Sequence, residues 1–294
     1  MVNSRVRAFR KILELEQNTG YQNVAIGTSA LAGATIGLRN VAIGCGAMKS
    51  VTTGQADNNI AIGQNVLAGG ASTSGNCNVA LGYYTADALT TGHNNVALGT
   101  NALGVATTGY DNVAIGTTAL GAGITTGNSN IAIGVNSMDA LLGGHTNVAM
   151  GVNALGAMTI GIRNIAIGDG AMGGITVEQT DNNIAIGEKA LCGTSATTGD
   201  ANIAIGSCSM DIITTGSNNI AMGLGSMGAA TTGANNVALG NTSLGTGTLT
   251  GGCNVAIGFQ AADAVCTGHT NVAIGMHAYG AATTACHNVA IGDT

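Results

Sequence analysis

Asn95-Val96-Ala97-Leu98-Gly99-Thr100-Asn101-Ala102-Leu103-Gly104-Val105-Ala106-Thr107-Thr108-Gly109-Tyr110-Asp111 is one turn of a pattern that starts again at Asn112. Its first five residues recur as Asn, Val or Ile, Ala, then Ile, Leu or Met, then Gly. The asparagine stands at 23, 40, 59, 78, 95, 112, 130, 147, 164, 183, 202, 219, 236, 254, 271 and 288. Two variable residues follow, then Ala or Ser with Leu or Met, as in Ala30-Leu31, Ser137-Met138 and Ser226-Met227. A turn such as Thr107-Thr108-Gly109 usually closes the rung. A short period repeated without interruption marks a solenoid, in which each turn is a unit that cannot bury its own apolar face and stacks on the last.

A helical array fails on the glycines, each of which costs about 0.8 to 1 kcal/mol in a helix interior. Val and Ile between Gly and Asn breakers fit strands of four to six residues, and Gly and Asn supply the positive φ that corners need. The expected rung is therefore strand, corner, short strand, corner. The expected fold is all-β, a parallel β-solenoid (β-roll) of sixteen 17-19-residue rungs, rising about 4.8 Å per rung.

The rung lengths are themselves ordered. Steps of 17, 19, 19, 17, 17, 18 and 17 residues from Asn23 recur in the same order from Asn147, so seven rungs spanning 124 residues were duplicated. Leu38-Arg39-Asn40 returns as Ile162-Arg163-Asn164, and Asp57-Asn58-Asn59 as Asp181-Asn182-Asn183. The solenoid, residues 19-294, thus divides into blocks at about 21-144 and 145-268 plus final rungs 269-294.

Composition agrees with this reading. Charged residues are 7% and aromatics 2% of the chain, against about 25% charge in an ordinary soluble domain. Mean hydropathy is +0.34, so much small apolar surface must be buried. No apolar run is long enough to span a membrane, and the repetitive body lacks the clustered Lys and Arg that nucleic acid requires. No conventional secretory signal is expected at the N-terminus.

The strand Val-Ala-Ile-Gly is apolar on both faces, which predicts that both are buried. Val/Ile and Ile/Leu/Met, with the Leu/Met of the second strand, are assigned to the interior. The Ala and Gly ladder is assigned to a flat outer surface on which identical rods pack, most simply as a homotrimer. The reverse parity would turn Val/Ile toward the symmetry axis. The asparagines serve either as stacked amide ladders or as corner residues.

Residues 1-18 are different material. Val2, Val6, Phe9 and Leu13 are spaced 4, 3 and 4, the seam of a short amphipathic helix that trimerises, caps the first rung or docks into a larger assembly. At the other end the chain stops at Asp293-Thr294 just after a pentad, which predicts a tip or capping protein over the final rung.

The pentads with their preceding glycine, as in Gly92-His93-Asn94-Asn95-Val96-Ala97-Leu98-Gly99, resemble the head repeats of YadA-like trimeric autotransporter adhesins. That family uses such a motif in a left-handed parallel β-roll. The longer rung, with Ala-Leu and then Thr-Thr-Gly, is similar to repetitive trimeric fibre proteins of tailed phages, over residues 19-294. The resemblance implies a virion fibre, tail or capsid, that is made in the host cytoplasm and lies on the virion surface. It would be held at its N-terminus by a virion or baseplate protein and act as spacer and host-surface adhesin. A bacterial trimeric adhesin head is the alternative, and an ice-binding solenoid a third.

No enzyme is expected, and no cofactor or metal. The seven cysteines (45, 77, 192, 208, 253, 266, 286) keep no cysteine partner at the 124-residue offset and read as small buried thiols. His93, His145, His269 and His287 sit near the corner before the pentad; these and His277 read as ordinary corner residues, with a metal on a trimer axis the rival. Asp87, Asp139, Asp211 and Asp263, each nine residues after its asparagine, lack a fixed His or Lys partner and read as solvated turn residues. Tyr83, Tyr84, Tyr110, Phe259 and Tyr279 are the candidate receptor contacts, because amphipathic aromatics are enriched at interfaces.

Overall fold

A computed structural model describes residues 20-33, 37-50, 55-69, 74-123, 126-176, 180-193 and 197-293. The predicted helix bearing Val2, Val6, Phe9 and Leu13 lies outside them. The chain divides into two compact units, Met1–Gly143 and Gly144–Thr294.

The first unit contains strands β1 (Val24–Ile26), β2 (Val41–Ile43), β3 (Ile60–Ile62), β4 (Val79–Leu81), β5 (Val96–Leu98), β6 (Val113–Ile115) and β7 (Ile131–Ile133). The second contains β8 (Val148–Met150), β9 (Ile165–Ile167), β10 (Ile184–Ile186), β11 (Ile203–Ile205), β12 (Ile220–Met222), β13 (Val237–Leu239), β14 (Val255–Ile257), β15 (Val272–Ile274) and β16 (Val289–Ile291). Within each unit every strand pairs in parallel with the next, each pentad residue over its equivalent, as in Val96↔Val113, Ala97↔Ala114 and Leu98↔Ile115. The parallel β-solenoid is thus as expected from the period. Among the described residues there is no helix.

Two local expectations are corrected. Among the described residues each rung has one strand of three residues, and the expected second strand is a run of turns. Glycine and asparagine also do not make the corners alone. The residue before the pentad asparagine, and those six and eight after it, are left-handed in rung after rung: Asp111 at φ 56°, Thr118 at 54° and Leu120 at 49° follow one another around a single rung. An L-residue pays roughly 1 to 2 kcal/mol for that conformation. The stack offsets it, because corner amides join the ladder too. Asp111 donates its N–H to the His93 carbonyl (3.1 Å), Thr118 to Thr100 (2.9 Å) and Leu120 to Ser137 (3.0 Å). Two successive left-handed turns separated by one residue leave no room for a second strand.

The parity of the strand is the reverse of the first assignment. Ala42, Ala61, Ala97, Ala114 and their equivalents are inside, with the asparagines from Asn40 to Asn271 and the Leu or Met eight positions on, such as Leu103, Leu120 and Met138. Val/Ile and Ile/Leu/Met point out. Hydrogen bonding explains the inversion. Asn95 donates its backbone N–H (3.0 Å) and its Nδ2 (3.0 Å) to Asn78 Oδ1 of the preceding rung. Its Nδ2 also donates to the Gly109 carbonyl, at the end of its own turn, at 2.8 Å. Its Oδ1 accepts from the backbone N–H (3.0 Å) and Nδ2 (3.2 Å) of Asn112. The same bonds recur in the second unit, where Asn219 Nδ2 donates to Asn202 Oδ1 (3.1 Å) and to the Gly233 carbonyl (2.8 Å). Water would compete for these bonds at a surface, whereas in a dry interior they are obligatory. The amide ladder, one of the two roles open for asparagine, is the one observed. Because Ala shares the asparagine's parity, only a methyl is left to fit beside the amide, and Leu or Met from the opposite wall fills the remaining width.

Candidate interaction surfaces

With the amides inside, the sheet presents two outward columns per unit. In the first they are Val24, Val41, Ile60, Val79, Val96, Val113, Ile131 and Ile26, Ile43, Ile62, Leu81, Leu98, Ile115, Ile133. In the second they run from Val148 to Val289 and from Met150 to Ile291. Neither column contains a charged or polar residue. These side chains are half-buried by their neighbours up and down the stack, and some are exposed, such as Ile131 at 38% and Met222 at 42%. Two residues beyond the strands, past the glycine corner, Val152, Leu224, Phe259 and Met276 are exposed as well.

The candidate receptor contacts fall on separate sites. Tyr83 and Tyr84 share one corner, with ring centroids 4.5 Å apart in an edge arrangement. Tyr110 stacks on His93 of the preceding rung at 4.9 Å and nearly parallel. Phe259 meets His277 edge-on at 5.4 Å. Tyr279 has another place: it fills the slot eight residues after Asn271, which Leu or Met occupies in most rungs, and its hydroxyl accepts a bond from Asn288 Nδ2 at 2.6 Å. There it takes, for the last ladder asparagine, the place that a carbonyl such as that of Gly109 holds for the earlier ones. Its register, not its aromaticity, was the signal for this.

The corner histidines are where they were expected, and His269 and His287 stand edge-on at 5.2 Å. Among the described residues no three His, Cys, Asp or Glu side chains gather as a metal site. The thiols are less buried than expected: Cys45, Cys77 and Cys253 are exposed and the others half-buried, because they occupy outward and corner positions. Asp87, Asp139 and Asp211 lean against the corner, where desolvation raises their carboxyl pKa above the ordinary value. Backbone N–H groups pull it back in each, as do Lys49 beside Asp87 and Lys189 beside Asp211. A cavity of about 10 Å³ lies among Met48, Asn59, Leu67, Asn78 and Leu89, enough for one water.

Polar corners complete the surface. In the first unit Arg39 Nε donates to Asn58 Oδ1 at 2.7 Å, and Asp57 Oδ1 accepts the Leu38 N–H at 2.8 Å. In the second, Arg163 and Asn182 form the same bond at 2.7 Å, and Asp181 and Ile162 at 2.9 Å. Sequence reasoning noted these residues only as markers of the duplication. A further corner column is hydroxylated: Thr198, Thr215, Thr232, Thr250, Thr267 and Thr284 are exposed in successive rungs.

No protein-family model, curated protein or solved structure matches the chain. No helix among the described residues is long and apolar enough to cross a membrane.

Proposed function

We propose that the chain is a structural fibre subunit, a spacer and surface adhesin of a virion, which associates laterally as a homotrimer through its outward Val and Ile columns. The observation that carries this is the uncharged aliphatic face. Each residue leaves on the order of 50 Å² of apolar side chain in water. Fourteen of them in the first unit give roughly 700 Å², close to the ~800 Å² that each partner contributes to a stable interface and above the largest apolar patch of most monomers. A second copy of the chain matches this face best, because a partner with the same rung spacing meets flat β-branched columns with flat β-branched columns. The corners, with their aromatic and polar side chains, remain outside such an assembly to meet a host surface.

Light scattering on the folded full chain tests the reading. A mass three times the 28.5 kDa of one chain is expected, falling to one chain in an Ile60→Lys/Ile131→Lys variant of unchanged circular dichroism. A monomeric parent protein at micromolar concentration would end the proposal.

The threonine column favours a second reading, ordering of water or ice on a hydroxylated corner. Its neighbours two residues on are Asp200, Ser217, Ala234, Gly252, His269 and Cys286, which break the flat plane such a surface needs. Thermal hysteresis in the full chain would move that reading ahead of the fibre.

A further inference from the structure

The polar corner around Arg39 is the most informative exposed cluster, because duplication kept it while its surroundings changed. Tyr21 became His145, Gln22 became Thr146, Cys45 became Asp169 and Lys49 became Gly173, yet Arg39, Asp57 and Asn58 returned as Arg163, Asp181 and Asn182. Beyond residue 18 the chain has four Lys or Arg residues, Arg39, Lys49, Arg163 and Lys189, so half of them are spent on this feature.

The geometry is the same in both copies. Nε holds each guanidinium against the asparagine of the next rung, and the backbone of the arginine's own rung holds one oxygen of the neighbouring aspartate. The guanidinium Nη groups, the second carboxylate oxygen and the asparagine Nδ2 have no hydrogen-bond partner among the described residues. These are donors on the arginine and asparagine and an acceptor on the aspartate, carried by neighbouring rungs on side chains that one hydrogen bond each already holds. Preorganised polar groups recover more of their hydrogen-bond energy on binding, since little rotamer freedom is left to lose.

The ligand class follows from this mixture. An anion would meet the aspartate beside the arginine, and a cation the arginine beside the aspartate. A vicinal diol suits both, since each hydroxyl donates and accepts. We infer that the two corners are twin saccharide sites, in which the aspartate accepts from one ring hydroxyl while the asparagine amide and the guanidinium donate to its neighbour. The inference rests on the surface-contact reading above and names its ligand class.

Saturation-transfer NMR and titration on the full chain, with neutral probes (glucose, galactose, mannose and N-acetylglucosamine), test it. At least one probe is expected to bind at two sites per chain. Asp57→Asn/Asp181→Asn keeps the bond to the backbone but replaces the free acceptor by a donor, and should weaken affinity about tenfold or more. Arg39→Ala/Arg163→Ala should do the same, and either arginine variant alone should halve the stoichiometry without altering the affinity of the remaining site. Absence of binding to every probe, or binding unaltered in both double variants, overturns the proposal. So does binding confined to anionic sugars and abolished by salt. Mass measured on the same samples separates the two readings: a trimer that binds no sugar sinks only the saccharide sites, and a monomer that binds two sinks only the trimer.

Discussion

Asn95→Ala tests the interior ladder most directly. The substitution removes a side chain that makes four hydrogen bonds and is 1% exposed. Two backbone groups lose their partner outright, the N–H of Asn112 and the carbonyl of Gly109. Each orphaned buried group costs about 1 to 3 kcal/mol, and the space left by the amide adds about 1 kcal/mol. A loss of about 4 kcal/mol is therefore expected, or roughly three decades in an opening equilibrium. Stacked repeats open locally, so amide hydrogen exchange is the suitable assay. Protection should fall about a thousandfold at Asn112 and the rungs beside it and much less several rungs away. Asn95→Asp should be worse at neutral pH, because a buried acceptor-only carboxylate faces Asn78 Oδ1 and the Gly109 carbonyl. Its folded pKa lies above its unfolded value of about 4, so the damage is greatest above the folded pKa and eases as pH falls toward 4. Asn241→Ala, on an exposed corner, should stay within about 0.5 kcal/mol. Unaltered exchange at Asn112 in the Asn95→Ala protein would refute the reasoning.

Gly99 has φ 130°, and a Cβ there would lie 2.6 Å from the Gly116 carbonyl oxygen, so Gly99→Ala should lower the urea midpoint by several kcal/mol equivalent, about 2 to 4. Gly225→Asn, at φ 61° with Thr242 Cγ2 the nearest atom at 3.4 Å, should be close to neutral in the same titration. Desolvation raises the folded pKa of Asp139, so its ionised form weakens the fold; Asp139→Asn should raise the denaturation midpoint at pH 7 and make no difference below about pH 4. Tyr279→Phe deprives Asn288 of one of its acceptors, with Asn271 Oδ1 and the Cys286 carbonyl remaining, and should speed exchange in the last rung by at most about tenfold while leaving earlier rungs unchanged.

The stacking, its period and its parallel register were legible because the pentads repeat with so little variation that other folds have no use for them. The role of the asparagines was half legible: an amide every rung is what a ladder needs, but a corner needs it as well. The face of the strand was misread for a physical reason. Sorting side chains by hydrophobicity puts Val96 and Leu98 inside and leaves Ala97 out, yet the strand's parity is set by Asn95, whose amide is satisfied by the asparagines of the rungs above and below and by the Gly109 carbonyl. The second strand failed for a related reason, since nothing in Ala102-Leu103 announces that a leucine at φ 55° will turn the chain. Of the candidate contacts, the register of Tyr279 against Leu103 and Met138 already placed it in the interior. The Arg39 corner needed the coordinates, because its pairing with Asn58 joins residues 19 apart.

The inverted parity ties the fold to the proposed assembly. A slip of one residue between rungs would turn every asparagine outward, breaking its bonds to both neighbours, and would force Val and Ile into a core sized for alanine. The ladder therefore fixes register more strictly than aliphatic packing, which tolerates exchange among Val, Ile, Leu and Met, as the outward columns themselves show. Using the polar residue for the interior, however, leaves the larger aliphatics no place but the surface. A sheet with polar outward residues would have been soluble alone, and sixteen pentads without one such substitution are difficult to reconcile with a face meant for water. Register and the proposed association thus trace to the same alternation: the amide that aligns the rungs puts the aliphatic columns where another copy of the chain could cover them.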